Sequence, residues 1–326
     1  METVQSRPQH EGAHNGAMER LPHDLDRIHI LMVNAYLFGN PATVGSRDWV
    51  LIDAGLPFSA SQIVHAAERR FGPGAKPQAI ILTHGHFDHV GALADLLKRW
   101  DVPVYAHDLE IPFLSGRSDY PPPDPTVGGG LMARTAFLYP RHRYDFRPNL
   151  RRLLSDGSVP GMPGWRWVHT PGHSPGHVSL FRDDDRALIA GDAFCTQDQE
   201  SLLGVVTEYP QIHGPPKYFT IDWVAARRSV ELLNAMRPSV AATGHGVPMG
   251  GLRLQAELGE LARRFDELAV PPHGRYVNAP VFSDEKGVFA VPPPVSDPAT
   301  TIGTVLALAA VAGAAFYFMQ RKCKRA

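Results

Sequence analysis

The sequence predicts an α/β protein, and three observations carry the prediction. A continuous apolar run, Gln78 to Thr83, is followed by a polar loop, an amphipathic run from Val90 to Trp100 and a second apolar run from Val102 to Ala106, which is the order of a βαβ unit. Short β-type runs bounded by Gly, Asn and Pro lie on both sides of that unit. The chain has 326 residues, 44% hydrophobic and 20% charged, enough for one large α/β domain or two small ones.

Taken in order, residues 1–21 are polar and aperiodic with no apolar core segment, so a disordered lead-in without a secretory signal is expected. A domain is expected over 22–270. Ile28–Val33, Ala35–Phe38 and Trp49–Ile52 read as strands of a hairpin-rich sheet. Ser59 or Ser61 can cap a helix through Phe71, with Ile63, Val64, Ala67 and Phe71 on one face and Gly72-Pro73-Gly74 as the stop. After the βαβ unit, residues 112–154 change composition, with Tyr120-Pro121-Pro122-Pro123 and Gly128-Gly129-Gly130, and are too long for a plain connection. They are expected to form a lid or substrate-binding insertion. Strands resume at Trp165–His169, His177–Phe181, Ala187–Ala190 and Ser239–Thr243. Asp222 opens a helix through Met236, and Leu252–Leu268 has helical spacing.

Residues 271–300 are Pro-rich and read as a linker. Residues 301–319 are almost uninterruptedly apolar and without a charge, and a basic tail occupies 320–326. At about 1.5 Å rise per residue such a run reaches across a core of about 30 Å, so a transmembrane helix anchoring the chain in a lipid bilayer is expected. The basic tail alone would place the domain outside the cytoplasm. Without an export signal, a single-pass C-terminal anchor with a cytoplasmic catalytic domain is the preferred expectation.

Composition narrows the function. The formal net charge of −1 and the lack of any basic block before the tail argue against nucleic acid as partner. The two cysteines, Cys195 and Cys323, suggest no disulfide framework and fit a reducing compartment. The 16 histidines call for a site-level explanation.

Thr83-His84-Gly85-His86-Phe87-Asp88-His89-Val90-Gly91 supplies it, with three imidazoles and a carboxylate in six residues between a strand and a helix. Neutral imidazoles and carboxylates suit zinc and also ferrous iron. Further ligands follow later strands: His173 in Thr170-Pro171-Gly172-His173, Asp192 in Gly191-Asp192-Ala193, and His245 in Gly244-His245-Gly246. The flanking glycines let the backbone approach closely. His177 repeats the Pro-Gly-His pattern but starts a strand, and His107 and His169 read as strand histidines. Ser174 has no surrounding nucleophile motif.

This ordered set resembles the metallo-β-lactamase superfamily over about Ile28 to Leu268, nearest in pattern to its glyoxalase II-like and lactonase-like hydrolases. The resemblance implies an αββα sandwich, two mixed sheets face to face with helices outside and the site at one edge. It implies that His84, His86 and His173 hold one divalent ion, that Asp88, His89 and His245 hold a second, and that Asp192 bridges them. It makes Asp53, in Leu51-Ile52-Asp53-Ala54-Gly55, a supporting residue. The implied chemistry is attack of an activated water on an ester, thioester or lactone of a small molecule, with two zinc ions, or iron, as cofactors and Asp88 moving a proton. Asp192 stands where the main zinc β-lactamases carry Cys, which disfavours antibiotic hydrolysis. His86 stands where flavodiiron proteins carry Glu. Cys195 stands where acyl-homoserine lactonases carry Tyr, so Tyr209 or Tyr218 would have to serve there. The glutathione-binding pattern of glyoxalase II is not apparent in 252–270. His213, Lys217 and Tyr218, in the Pro-rich aromatic loop Glu208–Phe219, are candidate substrate contacts. The competing readings are a mononuclear iron enzyme of the persulfide dioxygenase type and a non-catalytic membrane-tethered binding module.

Overall fold

A computed structural model describes residues 21–42, 48–128, 130–141 and 144–295. Its first sheet holds β1 (Leu25–Ile30), β2 (Val33–Gly39), β3 (Trp49–Ile52), β4 (Ala79–Ile81), β5 (Val104–Ala106) and β6 (Leu150–Arg152), in that order across the sheet. β1, β2 and β3 run antiparallel, and β3 to β6 run parallel. Between them lie α1 (Ala60–Phe71), α2 (Phe87–Val90), α3 (Leu93–Trp100), α4 (Ile111–Leu114) and α5 (Leu131–Arg134), with a 3-10 turn at Ala136–Leu138. The second sheet holds β7 (Trp165–His169), β8 (Val178–Arg182), β9 (Ala187–Gly191), β10 (Val240–Thr243) and β11 (Met249–Gly250), with β10 parallel to β9 and the other neighbours antiparallel. Its helices are α6 (Leu202–Thr207), α7 (Trp223–Ala235), α8 (Gly251–Arg263) and α9 (Phe265–Leu268).

The two-residue period of the strands sorts their side chains into layers. Val50, Ile52, Ala79 and Ile81 face Val178, Leu180, Ala187, Ile189, Val240 and Ala242 between the sheets. Leu51, Ile80 and Val104 point the other way, onto Ile63, Ala67 and Phe71 of α1 and Leu93, Leu96 and Trp100 of α3. Phe181, Leu188 and Ala241 point onto Trp223, Val230 and Leu233 of α7 and Leu254, Leu258 and Leu261 of α8. The result is the expected αββα sandwich.

Three local readings differ from the sequence expectation. The helix expected at Val90–Trp100 is broken into α2 and α3. Gly91 N–H donates to Gly55 O and Ala92 N–H to Ala54 O, so the chain leaves the helical ladder to pair with the turn after β3. The last residues of the 112–154 segment add β6 to the sheet edge. Within the Pro-rich 271–300 stretch, β12 (Phe282–Asp284) and β13 (Gly287–Ala290) pair as a hairpin, and Val281 N–H donates to Ile221 O.

Among the described residues no helix is long and apolar enough to cross a membrane. The longest, α7 and α8, have 13 residues each, about 20 Å against a hydrocarbon core of about 30 Å. The expectation of a C-terminal transmembrane helix is corrected on that finding. So are the single-pass anchor, the bilayer contact and the cytoplasmic placement argued from it. Residues 301–319, on which that expectation fell, lie outside the described residues, as do 1–20 and 296–326 as a whole.

Candidate metal centre

Four strand ends converge at one edge of the sandwich. β4 leads into His84–His89, β7 into His173, β9 into Asp192 and β10 into His245. Asn34 fastens the last of these turns from β2: its amide donates to Thr243 O (2.9 Å) and Gly246 O (2.7 Å). Tyr36 Oη donates to Thr243 O (2.7 Å). Gly244 has no room for a side chain, because a Cβ there would lie 2.0 Å from Asp192 Oδ1 and 2.8 Å from His89 Cε1.

The seven predicted side chains are all buried and lie together. His84, His86 and His173 form one compact group, His84, His89 and Asp192 a second, and Asp88, His89 and His245 a third, each with nitrogen and oxygen atoms within 4.8 Å of one another. His86 Nδ1 lies 2.9 Å from His173 Nε2. Asp192 reaches both sides: Oδ2 is 3.1 Å from His245 Nε2 and 3.4 Å from His173 Nε2, and Oδ1 is 3.5 Å from His89 Nε2.

Outward hydrogen bonds decide which nitrogen faces the cluster. His89 Nδ1 is 2.8 Å from Asp53 Oδ2, and His245 Nδ1 is 2.6 Å from Met32 O. A carboxylate and a carbonyl only accept, so both Nδ1 atoms carry a proton and the Nε2 atom of each ring is the one turned inward, toward the cluster. Thr83 Oγ1 donates to Asp53 Oδ2 (2.8 Å) and can accept from His84 Nδ1 (3.1 Å). Thr220 Oγ1 donates to Pro216 O (2.8 Å) and can accept from His173 Nδ1 (3.4 Å). Two of the supporting groups sit on left-handed backbone: Asp53 has φ 58° and Leu31, in the turn that presents Met32 O, has φ 57°. Non-glycine residues pay for that conformation, and it tends to be kept where function fixes it.

Burial pushes His84 and His173 well below the ordinary histidine pKa and His86 to about 3, with neighbouring imidazoles adding to the effect. In His89 and His245 burial is outweighed by carboxylates, Asp192 foremost, and both are raised. Burial raises Asp88. In Asp192 burial is outweighed by His245 and His89, which hold it well below the carboxylate range. Four buried carboxylates, Asp53, Asp88, Asp192 and Glu110, sit in or against the histidine loops, and among the described residues no lysine or arginine is bonded to any of them. His84 Nε2, His89 Nε2 and Asp192 Oδ1 are buried without a hydrogen-bond partner. Unpaired buried donors and acceptors are costly, about 1–3 kcal/mol each. Converging imidazole nitrogens and buried carboxylates suit a cation, and two divalent ions would balance the four carboxylates once the histidines are neutral.

Several residues that the sequence did not single out complete the surroundings. Glu110, fully buried, accepts from Gly85 N–H (3.0 Å) and Tyr120 Oη on one oxygen, and from Ser174 Oγ (2.8 Å) and Gly176 N–H (2.8 Å) on the other. The Phe219 ring stacks on His86 at 4.6 Å, and the Tyr120 ring lies 4.6 Å from the same imidazole. His177 is outside the ligand-like groups. Its Nε2 accepts from Asp192 N–H (2.8 Å), which makes Nδ1 the donor to Thr170 Oγ1 (2.9 Å). His107 and His169 stack on each other at 4.3 Å, outside the cluster.

Of the expected substrate contacts, Tyr218 joins Phe219, Tyr139, Val127, Met132 and Phe87 in an apolar cluster beside His86. The Lys217 main chain donates to Glu200 Oε1 (2.9 Å), and the His213 main chain pairs with Cys195. No described contact brings the side chains of Lys217 or His213 to the histidines. Glu110 and Phe219 carry no local signal, because their roles exist only once distant loops have met.

Comparison with known proteins agrees with this architecture. The profile of the metallo-beta-lactamase superfamily matches residues 30–245. The "Probable metallo-hydrolase YflN" of Bacillus subtilis is 47% identical over 239 residues, 73% of this chain and 90% of that protein. The "Hydroxyacylglutathione hydrolase GloC" of Haemophilus influenzae is 28% identical over 117 residues, 35% of this chain and 49% of that protein. Among solved structures, Rm3 metallo-beta-lactamase superposes with a TM-score of 0.52 at 21% identity, covering 78% of this chain and 94% of that one, a likeness of fold.

Proposed function

The chain belongs to the metallo-beta-lactamase superfamily of hydrolases, and from that premise we propose that it cleaves an ester, thioester or lactone of a small molecule with a water activated at a two-metal centre. His84, His86 and His173 would hold one ion, Asp88, His89 and His245 would hold the other, and Asp192 lies within reach of both groups. The observation that carries this reading is the meeting of His84 Nε2, His89 Nε2 and Asp192 Oδ1, all buried without a well-formed hydrogen bond, in the group that shares His84 with one neighbouring group and His89 with the other. Two divalent ions bound there would supply hydroxide near neutral pH and positive charge against a developing oxyanion.

The chain's own residues do the rest. Asp88 is the most exposed of the seven, at 7%, so it is placed to take the proton from the incoming water and pass it to the leaving group. Asp53 and Met32 O keep His89 and His245 in the tautomer that points Nε2 inward. Phe219, Tyr120 and the cluster around Tyr218 exclude water and wall an apolar part of the substrate. The 112–154 segment, which supplies Tyr120, Val127, Met132 and Tyr139 to that wall, acts as the lid. Tyr218 has the support of this packing as a substrate contact, and His213 and Lys217 remain candidates farther along the same loop. The relative named for hydroxyacylglutathione supports including thioesters of small thiols. The nitrogen-rich, borderline donor set favours zinc, with iron second. A mononuclear iron centre would leave Asp88, His89 and His245 without a role.

The test is metal analysis alongside a panel of esters, thioesters and lactones on zinc- and iron-loaded full chain. About two ions per chain and hydrolysis of at least one class are expected, with the ion content lowered and the hydrolysis lost in His84→Ala and in Asp192→Ala. Full activity in a well-folded, metal-free protein would sink the reading.

A further inference from the structure

Glu110 sits fully buried at the start of α4, and among the described residues no lysine or arginine is bonded to it. Its two oxygens take four hydrogen bonds, each from a different group. Oε2 receives Gly85 N–H, between His84 and His86, and Tyr120 Oη from the 112–154 segment. Oε1 receives Ser174 Oγ and Gly176 N–H, just after His173. The packing leaves no slack: a Cβ on Gly176 would lie 2.8 Å from Glu110 Cγ, and one on Gly85 would lie 2.6 Å from Tyr120 Oη. Gly85 N–H and Gly176 N–H can only donate, one to each oxygen, whereas the two hydroxyls can turn. An amide of the same shape would therefore present an N–H group to one of these main-chain donors and leave it unpaired.

The loops that carry the three histidines of one face therefore share a single anion. The opposite face does not. His89 is held by Asp53, His245 by Met32 O and the turn behind His245 by Asn34, none of which touches Glu110.

We infer that Glu110 is a positioning residue that sets the spacing of the His84–Gly85–His86 loop against His173, and so governs ion binding at that face selectively. Tyr120 ties the lid segment to the same carboxylate, which makes the lid part of the support of one metal position. Ser174 acts as a donor to Glu110. The inference rests on the two-metal reading above.

The test uses full-length protein and Zn2+ or Co2+ titration, with two backgrounds that isolate the faces. His245→Ala keeps the three-histidine face, and His173→Ala keeps the Asp88–His89–His245 face. Glu110→Gln is expected to weaken ion binding about 10–100-fold in the first background and to leave the second within about threefold. The Co2+ visible spectrum should change in the first background alone. Tyr120→Phe and Ser174→Ala each remove one donor, and a smaller loss with the same selectivity is expected. They carry the test if Glu110→Gln does not fold, as judged by circular dichroism. Equal losses in both backgrounds, the mark of a merely structural residue, overturn the inference, as does no loss in either. If the wild type takes up no ion, the two-metal reading fails and the inference with it. If the wild type takes up two and the losses are equal, only the inference fails.

Discussion

Asp53 does three jobs with two oxygens: it accepts from Thr83 N–H, Thr83 Oγ1 and His89 Nδ1, at 2.8 Å each. Its backbone is left-handed, a conformation that asparagine tolerates nearly as well. Asp53→Asn therefore tests the carboxylate without added backbone strain. The amide can satisfy only part of the set, and metal affinity should fall about 10–100-fold while the metal-free fold persists; unchanged metal titration would show that the orientation of His89 does not matter. Gly244→Ala tests space. Its new methyl would overlap Asp192 Oδ1, so ion content should collapse although every donor remains, and two ions per chain in that variant would contradict the close approach. His177 makes a pH prediction. Burial, the main cause, holds it at about 3, below its ordinary 6.5. The folded state therefore binds fewer protons than the unfolded state between these values. Stability is intact above pH 6.5 and is lost as pH falls toward 3, by up to about 1.4 kcal/mol per pH unit. In His177→Gln the amide can keep both hydrogen bonds without titrating. The thermal midpoint of metal-free protein should fall less steeply between pH 6.5 and 4 in that variant than in wild type, and identical slopes would exclude the assignment.

At the scale of elements, the capping of α7 is the simplest case. Asp222 accepts from Ala225 N–H (2.9 Å) as its N-cap, and the α7 N-terminus packs against the His173 loop: Asp222 N–H and Ile221 N–H both donate to Gly172 O. Asp222→Ala should cost about 1 kcal/mol, a drop of about 2–4 °C in thermal midpoint, with little change in ion content; a large loss of metal would mean that the cap also holds His173. This helix was legible from its cap and periodicity, and so were β7, β9 and β10, because alternation and flanking turns are local signals. The break between α2 and α3 was not. It is set by Gly91 and Ala92 pairing with the turn after β3, a contact some 35 residues away in sequence. β6 was missed for a related reason. Leu150–Arg152 has only one apolar residue, and its pairing with β5 rather than its composition makes it a strand. The donor residues were legible from their spacing, whereas Glu110, Tyr120 and Phe219 matter only through three-dimensional convergence.

In the whole molecule, the histidine cluster draws on both sheets. His84–His89 extend from the first sheet, and His173, Asp192 and His245 extend from the second. Few main-chain bonds join the halves there: Val178 N–H donates to Thr83 O and Asn34 N–H to Gly244 O. Elsewhere the sheets are held by the apolar layer of Tyr36, Val50, Ile52 and Ile81 against Val178, Leu180 and Ile189. That layer was readable in the two-residue period of the strands, and the family resemblance implied two facing sheets, but which sheet each strand joins is set by the long-range pairing alone. Ions shared between the halves would act as cross-links present in the folded state alone. Binding stabilises by RT ln(1 + [L]/Kd), about 4 kcal/mol at a thousandfold excess over Kd, and at about 2–4 °C per kcal/mol for a domain of this size the shift is roughly 10 °C. Chelation of the full chain should therefore lower the thermal midpoint by about that much, with restoration on adding zinc. Because each cross-link needs donors from both sheets, His84→Ala and His245→Ala should each remove part of the chelator-sensitive shift, and the double variant most of it, while changing the metal-free midpoint far less. A midpoint indifferent to chelator in the wild type would mean that the sandwich is closed by its apolar layer alone.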